Sequence, residues 1–210
     1  MALPPARLLR RTRLFRAGRA LVAACAMSAG CMPIPVTLYV PVVAAGQLVH
    51  ATCAPNQHLP VGARLPVGGA WVTVRVARHE GRHFVELQFD VPEEEVLRLD
   101  SDEVRLVRPA GDTVTARFPS ISLVDTPIVN SFSTAPALRA LQLPALASMP
   151  GGRTAAGGAR HYWLATPVDV QREASFDLVL APVRDRAGQE HRFRLRFESR
   201  TLVGFAVLNC

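Results

Sequence analysis

The chain has 210 residues, with 24 Lys plus Arg against 17 Asp plus Glu, a formal charge of +7, and 49% hydrophobic residues. Every basic residue is Arg, and six of them fall in residues 1 to 19, where there is no acid. Without those six, 18 arginines face 17 acids, so the basicity belongs to the N-terminus and gives no argument for nucleic-acid binding.

Residues 20 to 30, ALVAACAMSAG, are apolar or small and uncharged. A basic start, a short apolar stretch and small residues before a cut predict a secretory signal over residues 1–30. The stretch is too short for a permanent span, which needs about 20 apolar residues. Arg10-Arg11 followed by TRLFR fits a twin-arginine signal badly.

Small residues running into Cys31 resemble the lipobox of bacterial lipoproteins, a resemblance that covers only about the first 32 residues. Val22-Ala23-Ala24-Cys25 matches the four-residue pattern more closely than Ser28-Ala29-Gly30-Cys31. Cleavage before Cys25, however, leaves only Ala20 to Ala24 as the apolar region. The resemblance implies lipid on Cys31 as the first mature residue. Because Met32 is not Asp, it also implies the outer membrane, with the protein facing the periplasm. The cysteine count agrees: Cys25 leaves with the signal, Cys31 takes lipid, and Cys53 and Cys210 remain. A disulfide between those two joins the ends of the domain, contributing about 4 to 5 kcal/mol in the chain-entropy model. Two unpaired thiols are the alternative.

Residues 31–46 contain Pro33, Pro35 and Pro41 and predict an extended tether, with packing as an edge strand as the other option. From Gln47 the chain reads as short strands between turn signals: QLVHATC, WVTVRVAR, HFVELQFDV, EVRLVR, TVTARF, SISLV, HYWLAT, SFDLVLAP, HRFRLRFES and TLVGFAVLN. HEGRH, residues 79–83, has the spelling of a zinc-protease helix. Its flanks alternate with period two, so Glu80-Gly81 reads instead as the turn of a hairpin. That register pairs Val76 with Val85, Val74 with Leu87 and Val72 with Phe89 on one face. Arg75 meets Glu86 and Thr73 meets Gln88 on the other. His79 then points to the polar side and His83 to the apolar side, so they share no metal.

Glu93 to Glu95 and the acids Asp100, Asp102 and Glu103 lack the Gly and the ligand spacing of a calcium loop and read as turn charges. ALRALQLPALASM, 137–149, predicts a short helix interrupted at Pro144. PGGRTAAGGAR, 150–160, is a small-residue loop, and together they form a long crossover. His161-Tyr162-Trp163 reads as a core anchor, with an aromatic binding patch as the alternative. In HRFRLRFES, Arg192, Arg194 and Arg196 face one way while Phe193, Leu195 and Phe197 face the other. The arginines form either an anion-binding row, for example for lipopolysaccharide, or a solvated face paired with acids. PGGRTAAGG lacks the Lys and the helix of a phosphate loop, and no nucleophile stands in a recognisable setting.

These readings predict an all-β, antiparallel β-sandwich over residues 47–210, single-domain, with immunoglobulin-like connectivity left open. The expected function is a non-catalytic structural or protein-binding module in the envelope. It is held to the membrane by its lipid anchor, meets an unidentified envelope protein, and uses no metal or other cofactor. The alternatives are a hydrolase whose site assembles from distant strands and the anion-binding module on the Arg192 strand.

Overall fold

The computed structural model describes residues 34–42, 46–50, 60–124, 139–141, 148–153, 158–170 and 172–204. Cys25, Cys31, Cys53 and Cys210, and with them the expected signal, lipid and disulfide, lie outside the described residues. The chain divides into two compact units, one of Thr37–Leu202 with Cys210 and one of Met1–Val36 with Val203–Asn209.

The described residues form sixteen strands and no helix. They are β1 (Ile34–Val42), β2 (Gln47–His50), β3 (Pro60–Val67), β4 (Ala70–His79), β5 (Arg82–Val91), β6 (Val96–Leu99), β7 (Glu103–Val107) and β8 (Thr113–Arg117). There follow β9 (Ile121–Val124), β10 (Arg139–Leu141), β11 (Ser148–Pro150), β12 (Arg160–Val168), β13 (Ser175–Leu180), β14 (Val183–Arg184), β15 (Glu190–His191) and β16 (Arg194–Gly204). A seven-stranded sheet runs β10-β9-β12-β5-β4-β3-β2 and a five-stranded one β1-β16-β13-β7-β8. A third sheet, β11-β6-β14-β15, has four strands. The strand pairs with a described register run antiparallel.

The β4–β5 hairpin organises the larger sheet. Its register is the one that side-chain alternation demands: Val76 opposite Val85, Val74 opposite Leu87, Val72 opposite Phe89 and Arg75 opposite Glu86. Glu80 and Gly81 take positive φ, 49° and 81°, the left-handed pair that a two-residue turn uses to match strand twist. The inward residues Val72, Val74, Val85, Leu87 and Phe89 are buried and join a core shared with Phe176, Leu178, Leu195 and Phe197 of the five-stranded sheet. Phe176 stacks on Phe197 with ring centroids 5.7 Å apart. Each such side chain contributes about 1.5–3 kcal/mol by leaving water.

Three expectations change. The short helix predicted over 137–149 is replaced at its described residues by strands, with β10 pairing β9 and β11 pairing β6. Short apolar segments of this kind gain backbone partners at open sheet edges, which an isolated one- or two-turn helix cannot match. HRFRLRFES is not one strand: Glu190–His191 pairs β14 in the small sheet, and the chain then crosses at Arg192-Phe193 into β16 beside β13. Finally, residues 34–42 of the expected tether form β1, the edge-strand option, so packed structure begins before Gln47.

β3 carries no strand signal of its own, because PVGARLPV contains two prolines and a glycine. β2 pairs β3 only between Pro60 and Arg64, so Pro66 lies where β3 has a neighbour on one side alone. Gly151, in the small-residue loop, exists for close approach. Its N–H donates to the Glu95 carbonyl at 2.7 Å, and a Cβ there would stand 1.7 Å from the Pro92 carbonyl oxygen. Substitutions at the hairpin turn should act through φ alone, since a Cβ on Gly81 meets open space. Gly81→Ala is expected to cost about 1 kcal/mol, whereas Glu80→Asn should raise the denaturation midpoint in urea.

Candidate functional site

The arginine row lies on the surface. The side chains of Arg192, Arg194 and Arg196 are 79%, 66% and 54% exposed. Each has an acid beside it. Arg192 pairs with Glu190, Arg194 meets Asp177 at 2.6 Å, and Arg196 approaches Glu198 at 3.9 Å while donating to the Ser175 hydroxyl at 3.2 Å. This is the acid-paired face that the alternation also allowed. Exposed pairs of this kind contribute about 0–1 kcal/mol, but they leave little unmet charge for an added anion.

The same arginines rim an open cleft of about 650 Å³. Its apolar wall comes from Val42, Leu65, Pro66, Phe193 and Leu195, and Asp177 sits among the arginines. Val42 and Leu48, on the edge strands β1 and β2, expose 49% and 42% of their surface. Phe193, at the chain crossing, and Leu195 both line the cleft and pack on the core, while Phe197 is fully buried.

The HEGRH histidines part as the hairpin requires. The His79 Nε2 lies 2.6 Å from a Glu86 carboxylate oxygen on the outer face, where Arg75 holds the other oxygen. His83 turns inward, is 5% exposed, and has no hydrogen-bond partner on either ring nitrogen. The Tyr39 ring of β1 stands edge-on to it at 5.2 Å. Tyr39 is itself fixed through its hydroxyl, which donates to the carbonyls of Val170 and Glu173. Burial lowers the His83 pKa below 6.5, and nearby Arg78 lowers it further against the opposing charge of Asp169. An open cavity of about 390 Å³ adjoins His83, lined by Arg82, Pro167, Val168 and Asp169.

Two further His–carboxylate pairs stand apart from both cavities. The His161 Nδ1 lies 2.7 Å from Asp90, which also accepts from Gln88 at 2.9 Å and from Arg64 at 3.0 Å. Burial pushes the Asp90 carboxyl up, but His161, Gln88 and Arg64 outweigh it and hold the pKa below 3.8. His191 meets Asp185 at 3.0 Å, and that hydrogen bond leads the forces holding Asp185 low.

The alternation of β12 splits the HYW motif. Tyr162 is buried and donates to the Pro150 carbonyl at 2.7 Å, whereas Trp163 lies half-buried with its indole N–H unpartnered. Several of the acids in the calcium-like segments are engaged with protein groups. Glu95 accepts from the Gly69 N–H, Asp100 pairs with Arg184 and Glu103 with Arg117. The sequence supplied no sign of the Arg64–Asp90–His161 cluster, whose members come from three strands.

No family model and no curated protein matches the sequence. A solved structure described as "X-ray structure of Northeast Structural Genomics Consortium target SoR45" is similar at a TM-score of 0.25 and 8% identity, covering 84% of this chain and 90% of that one. A likeness at that level carries no argument about function.

Two pH responses follow from these groups. The unfolded chain binds a proton at His83 more readily than the folded one, so stability should fall as pH drops through 6.5 toward the lower folded value. His83→Phe should flatten that part of a denaturation-versus-pH curve. Asp90 gives a second, more acidic limb: stability present above 3.8 is lost below it, and Asp90→Asn should remove that loss. Glu86→Ala leaves Arg75 unpaired in a largely buried setting, and an expected cost of about 3 kcal/mol is readable by urea denaturation.

Proposed function

We propose that the chain is a bacterial envelope lipoprotein, anchored through lipid on Cys31, whose β domain binds a protein partner through the Val42–Phe193 cleft. The observation that carries this reading is an apolar-walled opening whose rim charges are already matched pairwise. A surface of that kind favours a partner presenting apolar side chains over a free ion. Exposed Leu48, two residues along the chain from the lining residue Gly46, adds apolar surface to that of Val42 in the cleft wall.

A hydrolase fits less well. None of the three His–carboxylate pairs lies in the described lining of either cavity, and that lining holds no Ser, Thr, Cys or Lys. The outer-membrane location follows the lipobox-like segment, and binding rather than catalysis is the module's role.

A photo-crosslinker placed at Leu48 in native envelopes should capture a discrete protein partner. Phe193→Glu should abolish that capture, and Arg192→Gln should change it less than twofold, since the arginine is a highly exposed rim group. Capture undiminished by Phe193→Glu would remove the cleft from the reading. Mass spectrometry should find the mature N-terminus at lipid-modified Cys31, and intact residues 1–30 on the mature protein would refute the anchor.

A further inference from the structure

The cavity beside His83 differs from the cleft in one respect that matters for ligands: its polar groups are unmet. His83 is nine-tenths buried, yet both ring nitrogens lack a partner. A neutral imidazole always carries one N–H and one lone pair, and leaving a buried donor unpaired is costly. The second observation is electrostatic. Arg82 and Asp169 line the same cavity, and among the described residues neither has an ion-pair partner, whereas each member of the Arg192 row does.

Their placement follows from register. Val168, the last residue of β12, stands opposite His83 of β5, and Asp169 and Arg82 are the next residues along their chains at that end of the pair. A positive and a negative group therefore flank one end of the strand pair, with the imidazole between sheet and core and Pro167 and Val168 as apolar wall. Arg78, opposite His83 in the hairpin and also without an ion-pair partner among the described residues, adds a second cation near the ring.

We infer that this cavity binds a small zwitterion of the α-amino-acid class. Its carboxylate meets Arg82 and the His83 N–H, and its ammonium meets Asp169. A simple anion leaves Asp169 unpaired and repelled, and a simple cation leaves Arg82 and the imidazole donor unmet. Only a ligand carrying both charges satisfies all three groups at once. The imidazole stays neutral because burial and the nearby Arg78 disfavour its charged form, so it acts as a hydrogen-bond donor rather than a counter-ion. The site is separate from the protein-binding cleft and does not depend on it.

The test titrates the full-length, detergent-solubilised protein, labelled on histidine, with L-valine, isovalerate and isobutylamine at pH 7.5. The three probes share one branched side chain, and the second and third each lack one charge. L-valine should shift the His83 imidazole resonances saturably, at least about tenfold more tightly than either analogue. Arg82→Gln and Asp169→Asn, both at exposed positions, should each weaken valine by a similar factor, and Phe193→Glu should leave it unchanged. An equal response to isovalerate overturns the zwitterion assignment in favour of an anion site. No response to any probe, or a response that persists in the Arg82→Gln/Asp169→Asn double variant, overturns the site altogether and leaves water as the partner of the ring.

Discussion

The Glu80-Gly81 turn constrains everything built on the seven-stranded sheet. Two residues at positive φ allow a reversal with one register only, and that register decides which face each residue of β4 and β5 occupies. A slip by one residue would send Val72, Val74, Val85, Leu87 and Phe89 to the outside and Arg75, Glu86 and Asp90 into the core. The penalty of burying those charges against hydrocarbon exceeds any gain from alternative pairing. The same parity places His79 outside, within reach of Glu86, and His83 inside, against Tyr39. β12 then adds to β5 in a continuous nine-residue ladder and carries the logic one strand further.

The outer face of that sheet is unusual in being polar and yet partly sealed. The Glu86 side chain is 1% exposed although it lies opposite the hydrophobic core, and the Asp90 side chain is 14% exposed. Neither carboxylate stands alone. Glu86 is shared by Arg75 and His79, while Asp90 is shared by Arg64, His161 and Gln88. Each oxygen therefore recovers in charged hydrogen bonds what it loses by leaving water. Arg64 also stacks over Trp71, 4.8 Å from the ring centroid, which ties β3 to β4 on this face. Such clusters tie neighbouring strands together in register, although the Arg64 Nε remains without a partner.

Function is better sought where groups remain unmatched. The cleft beside Phe193 offers apolar surface with matched charges, a chemistry suited to a protein partner. The cavity beside His83 offers matched apolar packing with unmatched polar groups, a chemistry suited to a small polar ligand. On the proposed reading the two openings divide recognition between them, one by shape and hydrophobicity and the other by charge and hydrogen bonding.

Side-chain alternation made the all-β class, the β4–β5 register and the partition of the two histidines legible before any coordinates, because each depends only on neighbours close in the chain. The opposite faces of Arg194 and Leu195 were legible for the same reason. Sheet membership was not. Whether HRFRLRFES is one strand or two depends on β14 and β13 offering backbone partners, and that information lies outside the segment. The strands at 139–141 and 148–150 arise likewise from open edges on β9 and β6, which overrode a helical-looking local pattern. The pairing of each arginine with an acid, the burial of Glu86 and the unmet nitrogens of His83 were decided by tertiary structure alone. Period-two spacing tells a side chain which face it takes; only packing tells it what it meets there.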